Sequence, residues 1–124
     1  MTLVDSSGWI EYLAGGSLAD CFAPAMQDRS EVLVPTIVVY EVVKRVHTLA
    51  GEAGADRVLA LLLGCRVVPC DTAVAVHAAR LSRENGLHMA DAIVYATSLE
   101  QGNVPVLTKD SHFKGLPGVT VYED

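Results

Sequence analysis

The hydrophobic positions along the chain fall into short runs that polar or glycine-rich breaks separate. Short runs of branched apolar residues are typical of buried β-strands. They predict strands over 3–5, 31–35, 66–69, 104–108 and, more weakly, 119–122. Between these runs, apolar residues recur at three- and four-residue steps, which predicts helices with one buried face. Because strands and helices alternate, the pattern predicts an α/β fold with a parallel sheet.

Helix boundaries follow from capping and breaking residues. Ser6-Ser7-Gly8 offers hydroxyl caps for a first helix, and Thr36 can cap a long helix that runs to about Ala50. A break is expected over 51–54. The remaining helices are predicted over 18–27, limited by Pro24; over 55–63; from Asp71 or Thr72 to Ser82 or Arg83; and over 89–100. With no repeats or linkers, residues 1–124 are interpreted as one α/β domain, a three-layer α/β/α sandwich with a short parallel sheet.

Composition supports a folded chain with one core. Apolar residues make up 51% of the sequence and charged residues 19%, which argues against disorder. No apolar run reaches the roughly 20 residues of a membrane span. The N-terminal residues lack a basic segment before an apolar one, so we expect no signal peptide and a cytoplasmic protein. Three cysteines without CxxC spacing, Cys21, Cys65 and Cys70, are expected to be buried free thiols.

The net charge of −6 at first argues against a nucleic-acid partner, since nucleic-acid binders usually carry a basic excess. The balance changes if some carboxylates bind metal. Setting aside four acids leaves −6 + 4 = −2 for the rest of the chain. Divalent ions would then convert an acidic site into one that binds phosphate. The charge therefore disfavours bulk binding of DNA but not cleavage at a metal site.

Acidic residues follow several of the predicted strands. Asp5, Asp71 and Asp110 lie at or just beyond strand ends, where open α/β sheets form their sites. Asp71 is better explained as a helix N-cap. Glu41 and Asp91 lie near the starts of two helices, and Glu41 stands among almost wholly apolar neighbours, where a carboxylate needs a cation or water.

Four of these acids, Asp5, Glu41, Asp91 and Asp110, are predicted to meet at one sheet edge. Like charges about 4 Å apart cost ~4 kcal/mol at an intermediate dielectric, so such a cluster needs a counter-ion. Oxygen ligands select Mg²⁺ or Mn²⁺ over Zn²⁺, and no His/Cys set has zinc spacing. An ion of this kind can orient a water and stabilise charge on a phosphodiester.

Four segments resemble the PIN-domain ribonucleases, and within them the VapC toxins of toxin–antitoxin pairs. They occur in the right order and together with the chain length cover nearly the whole sequence. The matching segments are Val4-Asp5-Ser6-Ser7 with Trp9-Ile10-Glu11-Tyr12-Leu13, Pro35-Thr36-Ile37-Val38-Val39-Tyr40-Glu41-Val42, Met89-Ala90-Asp91-Ala92-Ile93-Val94-Tyr95-Ala96-Thr97 and Leu107-Thr108-Lys109-Asp110-Ser111-His112-Phe113.

The resemblance implies a Mg²⁺- or Mn²⁺-dependent endoribonuclease that uses water as its nucleophile. It implies that the metal-binding and catalytic residues are Asp5, Glu41, Asp91 and Asp110. Ser6 matches the small hydroxyl residue after the first acid, and Thr108 matches the hydroxyl residue that orients the acids. It also implies a homodimer, held inactive by a cognate VapB-like antitoxin whose tail covers the active-site groove.

The sequence departs from some PIN domains at His112. Those proteins carry another acid two residues after the last core acid. The departure predicts one tightly bound ion and leaves a second open. His112 and Lys109 are instead candidates for contact with RNA, through stacking or phosphate binding.

Two other functions stay open at this point. A catalytically silent PIN-like scaffold would bind RNA or a partner without cutting, although the intact acids speak against it. A phosphoacceptor switch domain would share the late Thr108-Lys109 pair but leaves Glu41 and Asp91 unexplained. A haloacid-dehalogenase-like phosphatase would need an acid at Ser7. Cleavage of DNA is a further alternative among enzymes.

Overall fold

The computed structural model describes residues 1–124 and contains one five-stranded parallel sheet. The strands are β1 (Thr2–Val4), β2 (Val32–Pro35), β3 (Arg66–Val68), β4 (Val106–Thr108) and β5 (Val119–Val121). Their order across the sheet is β3-β2-β1-β4-β5, so the first strand is central. Leu3 is in register with Leu33 on one side and with Val106 on the other.

Five helices connect the strands: α1 (Ser6–Ala14), α2 (Ala19–Phe22), α3 (Thr36–Leu63), α4 (Thr72–Asn85) and α5 (Met89–Glu100). Three short 3-10 turns, Ala23–Met26, Arg29–Glu31 and Ser111–Phe113, complete the connections. None of the helices combines the length and the apolar character needed to cross a bilayer.

The chain reverses its direction of travel across the sheet after β3. It moves outward from β1 through β2 to β3, then returns to the opposite side of β1 as β4. Because crossovers between parallel strands are right-handed, α1–α3 cover one face and α4 and α5 the other. The predicted three-layer α/β/α sandwich is confirmed. The reversal also creates a crevice between the carboxyl ends of β1 and β4, the usual place for a ligand site in such sheets.

The core lies on both sides of the three central strands. Its fully buried side chains include Trp9, Phe22 and Phe113 together with the strand residues Leu3, Val4, Val32, Leu33, Val34 and Val106. The strands are buried on both faces, which explains why they are continuous apolar runs rather than alternating ones. This packing holds in place the carboxyl ends of the central strands and the residues that follow them.

Several helix boundaries differ from those that the sequence predicts. Asp5, not a serine of 6–8, caps α1, and Thr36 is the first residue of α3 after Pro35, so its hydroxyl is not a cap. The predicted break in α3 is confined to Gly51, whose φ of 72° lies in the left-handed region. The second helix ends at Phe22, and a 3-10 turn that contains Pro24 follows. A non-helical kink and a proline thus act more locally than expected.

The three cysteines are free, as expected, but they are not all buried. Cys21 and Cys65 are half-buried and Cys70 is exposed. Cys70 lies in the loop between the edge strand β3 and α4. The prediction of burial is therefore wrong for Cys70 and only partly met by Cys21 and Cys65.

Candidate metal centre

Asp5 follows β1 directly and is held by three donors. The Gly8 backbone N–H and the Ser7 hydroxyl donate to its Oδ1 over 3.0 and 2.7 Å. The Thr108 hydroxyl donates to its Oδ2 over 2.6 Å. Asp5 is only 5% exposed, and no cationic side chain contacts it. Its carboxylate is therefore fixed in position by neutral groups alone.

Thr108 connects Asp5 to Asp110 across the crevice between β1 and β4. It is fully buried at the end of β4, and its hydroxyl oxygen accepts from the Asp110 backbone N–H over 2.9 Å. The Lys109 backbone N–H donates to the Ser7 hydroxyl over 3.0 Å. These bonds tie the start of α1 to the end of β4, so the two acids move as one unit.

Glu41 and Asp91 reach the same edge from two helices. Glu41 lies in the second turn of α3, which follows β2, and Asp91 in the first turn of α5. Both side chains are half-buried. The N-terminal part of a helix carries positive dipole character, which favours a carboxylate there.

The electrostatics show that the four acids share one site. Burial raises the pKa of Asp5 from 3.8 to about 6, with a smaller contribution from the charge of Asp110. Burial also raises the pKa of Glu41, offset in part by the Ser6 hydroxyl and reinforced by Asp91 and Asp110. Burial and then the Asp110 charge raise the pKa of Asp91. The charge of Asp110 thus acts on all three other acids, which places them near one another at this edge of the sheet.

His112 joins this group. Ligand atoms of Asp91, Asp110 and His112 all lie within 4.8 Å of one another. The His112 Nδ1 is 3.0 Å from the Asp110 Oδ1, and its backbone N–H donates to the same oxygen over 2.9 Å. The ring of His88 packs edge-on against that of His112, with centroids 5.7 Å apart.

A buried ion pair beside the site is a feature that sequence reasoning missed. Glu11, 9% exposed, accepts from the Lys109 ammonium over 2.7 Å and from the Leu18 backbone N–H over 2.8 Å. An acid among the apolar positions of α1 was a usable signal, since the same argument singled out Glu41. The partner, Lys109, could not be inferred because it directly follows β4 and lies 98 residues away from Glu11 in the sequence. Lys109, a candidate for RNA contact, therefore has its charge engaged within the protein.

Several other polar residues lie outside the group of four acids. Asp71 follows the edge strand β3 and accepts from the Val74 backbone N–H over 2.9 Å, so the N-cap interpretation holds. Arg45 lines, together with Glu41 and Ser6, an open polar cleft of about 400 Å³. His47 and His77 pair with Glu52 and Glu100 on exposed surfaces away from the acids.

The donor set fits a divalent cation. Four carboxylates supply hard oxygen ligands, and the nearest lysine, Lys109, is already neutralised by Glu11. Burial, reinforced by neighbouring acids, disfavours the charged forms of Asp5, Glu41 and Asp91 and raises their pKa values, and a dication would stabilise those charged forms. Mg²⁺ and Mn²⁺ suit such ligands.

Comparison with known proteins identifies the family. The sequence model of the PIN domain family matches residues 2–119 of this chain. The chain is similar in structure to a toxin–antitoxin complex from Klebsiella pneumoniae, with a TM-score of 0.86, 22% identity and all of both chains covered. It is similar to the sarcin-ricin loop cleaving toxin VapC20 from Mycobacterium tuberculosis, with a TM-score of 0.78, 20% identity and coverage of 99% and 100%.

A third similar structure is FitAcB from Neisseria gonorrhoeae, with a TM-score of 0.71, 23% identity and coverage of 99% and 97%. No curated protein sequence matches this chain significantly. At these identities the structural likeness establishes the fold of the chain and not its activity.

Proposed function

Because the chain belongs to the PIN domain family, we propose that it is a metal-dependent endoribonuclease and the toxin of a VapBC-type pair. The observation that carries the proposal is the electrostatic coupling of Asp110 to Asp5, Glu41 and Asp91 at the crevice where the sheet reverses. Membership in the PIN family disfavours the phosphoacceptor switch and the phosphatase.

We assign the metal-binding and catalytic roles to Asp5, Glu41, Asp91 and Asp110, with Mg²⁺ or Mn²⁺ as the cofactor. The bound ion would activate a water and stabilise charge on the phosphodiester. Asp5 serves as the fixed carboxylate, because Thr108, Ser7 and Gly8 hold both of its oxygens.

Glu41 is suited to accept the proton of the attacking water. Its half-buried carboxylate has a pKa that burial raises and that the Ser6 hydroxyl partly offsets. A raised pKa brings a carboxylate closer to the operating pH, where a general base works best. Arg45 lines the same cleft and is placed to contact a phosphate of the RNA strand.

A cognate antitoxin is the proposed partner. Toxin–antitoxin assemblies are named among the similar structures. This chain also has an open, mostly apolar groove of about 260 Å³ between the end of α1 and the kinked part of α3, lined by Leu13, Val46, Ala50, Gly54, Val58 and Leu61 and by one charged residue, Arg57. Such a groove suits an apolar segment of a partner chain.

We further propose a homodimer. Val76 on α4 and Met89 on α5 are 58% and 72% exposed. Their helices flank a second open groove whose lining is almost wholly apolar. Sedimentation of the isolated chain distinguishes a dimer from a monomer.

The nuclease proposal is tested by incubating the purified chain with total RNA and with single-stranded DNA in the presence of Mg²⁺, Mn²⁺ or EDTA. We expect RNA cleavage with either ion and none with EDTA. Asp91→Asn should lower the rate by at least ~10²-fold. Asp71→Asn is the matched control, because it makes the same change at an exposed acid that caps α4.

Three results would redirect the proposal. RNA that binds but stays whole with either ion supports the silent scaffold. Cleavage of DNA in preference to RNA keeps the nuclease but changes its substrate. Equal loss in Asp91→Asn and Asp71→Asn means that the acids act on folding and not on chemistry.

A further inference from the structure

The tightest group of ligand atoms at the site is not made of carboxylates alone. Asp91, Asp110 and His112 bring one ligand atom each within 4.8 Å of the others. Asp5 and Glu41 are coupled to this group by charge but are not members of it. The side chain that completes the closest triad is therefore an imidazole.

We propose that His112 is a direct ligand of the divalent ion and that its nitrogen makes the site favour Mn²⁺ and Co²⁺ over Mg²⁺. This inference rests on the metal site of the proposed function. The proposed function treats Mg²⁺ and Mn²⁺ alike, whereas a nitrogen ligand from His112 makes the site prefer Mn²⁺.

The backbone fixes His112 beside the acids. Asp110 caps the 3-10 turn Ser111–Phe113, and Phe113, 1% exposed, anchors the turn in the core. The position of the His112 Cα is therefore set by buried packing and not by a mobile loop. The side chain is 65% exposed, and its Nδ1 is directed at the Asp110 carboxylate while the His88 ring packs against its edge.

The spacing of the ligand atoms fits a shared ion. Two neighbouring ligands that each lie about 2.1 Å from an octahedral ion are about 3.0 Å apart. The His112 Nδ1 and the Asp110 Oδ1 are 3.0 Å apart. A carboxylate oxygen of Asp91 lies within 4.8 Å of both.

The chemistry of the nitrogen decides the preference. Mg²⁺ takes oxygen ligands almost exclusively and keeps much of its water. Imidazole suits the transition metals, whose affinity for nitrogen ligands rises from Mn²⁺ to Co²⁺. A ligand set of two carboxylates and one imidazole therefore strengthens Mn²⁺ and Co²⁺ binding more than Mg²⁺ binding.

The direct test detects the nitrogen on the bound ion. Mn²⁺ is added to the metal-free protein, and electron spin-echo envelope modulation records coupling to ¹⁴N of a coordinated imidazole. We expect this coupling in the wild-type protein and in His47→Gln, the matched control whose histidine lies away from the acids. We expect its loss in His112→Gln. His88→Gln should retain it.

Calorimetric titration gives the second readout. Wild-type protein should bind Mn²⁺ more tightly than Mg²⁺. His112→Gln should weaken Mn²⁺ binding by roughly tenfold and Mg²⁺ binding by less. His112→Asp should narrow the preference while it keeps Mg²⁺ binding, because the new ligand is an oxygen.

Four outcomes overturn the inference: bound Mn²⁺ without ¹⁴N coupling, coupling that persists in His112→Gln, coupling that disappears only in His88→Gln, and absence of Mn²⁺ binding. RNA takes no part in these measurements, so a protein that shows the coupling but cuts no RNA contradicts the proposed function and leaves this inference standing.

Discussion

Two carboxylates near the start of the chain, Asp5 and Glu11, are both largely buried, yet the protein treats them in opposite ways. Glu11 receives the Lys109 ammonium and the Leu18 backbone N–H, and its hydrogen bond with Lys109 lowers its pKa. Asp5 receives only neutral donors, and burial raises its pKa to about 6.

The difference separates an acid that is neutralised within the chain from one that is not. Glu11 has an internal counter-ion, so its charge is satisfied once the chain has folded. Asp5 is rigidly held but has no cation of its own, and its nearest charged neighbour, Asp110, is another acid. A buried carboxylate in that situation is either protonated or paired with something from outside the chain. No side chain of this chain supplies a cation to Asp5 at this edge of the sheet.

The largest expected effect is on RNA cleavage. Asp5→Asn keeps the size of the side chain but removes the charge that an ion needs, and should lower the cleavage rate by at least ~10²-fold. Glu11→Gln should lower it far less. Initial rates are compared at a temperature below the melting midpoints of both variants. Equal losses in the two variants would remove the distinction between the two acids.

The second effect is on the pH dependence of stability in EDTA. Because the pKa of Asp5 is higher in the folded chain than in the unfolded one, its stabilising proton is fully present below about pH 4. That contribution is lost as the pH rises through 6, and is worth up to ~3 kcal/mol. Glu41 and Asp91 shift in the same direction.

Urea denaturation between pH 4.5 and 7.5 measures this loss. Asp5→Asn should reduce the slope and make the metal-free protein more stable than wild type at pH 7. Saturating Mn²⁺ at pH 7 should restore the wild-type stability and leave Asp5→Asn almost unchanged. A wild-type protein whose metal-free stability rises across this range would contradict the raised pKa.

A smaller effect is expected from Gly8→Ala, which perturbs the frame around Asp5. A Cβ at Gly8 would lie 2.6 Å from the Val4 Cγ1 and 2.7 Å from the Phe22 Cε1, so α1 would have to move away from β1. Such overpacking costs about 1–3 kcal/mol. The free energy of unfolding from urea titration checks it, and an unchanged value would mean that α1 adjusts freely.

The smallest effect is expected from Gly16→Ala, which perturbs the surroundings of Glu11. A Cβ there would meet the Glu11 carboxylate, the flexible end of a side chain, and push it from Lys109 and the Leu18 N–H. The loss of stability should be smaller than in Gly8→Ala and should disappear in a Glu11→Ala background, which removes the atoms that the new Cβ would meet. Independent, additive effects of the two changes would show that Gly16 acts elsewhere.

Much of the fold was predictable because local pattern determines it. The apolar runs gave all five strands, and glycine, proline and capping residues gave the helices to within a few residues. The predicted N-cap residues of α1 and α3 are wrong because several adjacent residues can cap a helix, and hydrogen bonds from distant segments decide which of them does. At α1 the Thr108 hydroxyl donates to Asp5 and so favours Asp5 over a serine as the cap. Thr108 lies near the other end of the chain, where a local pattern around Asp5 does not reach.

The candidate site was predictable in its acids but not in its finer partners. Asp5, Glu41, Asp91 and Asp110 stand out because each is an acid beside apolar residues at a strand or helix end. The pairing of Glu11 with Lys109 and the grouping of His112 with Asp91 depend on how distant segments pack. Residue type and spacing carry no information about such contacts.

Anomalous scattering from a crystal of this protein soaked in Mn²⁺ would locate the bound ion. We expect a peak at the carboxyl ends of β1 and β4, with ligands from Asp91 and Asp110 and with Asp5 facing the ion. A well-occupied peak elsewhere, or none at an ion concentration that supports RNA cleavage, would contradict the assignment of this acidic edge as the metal centre.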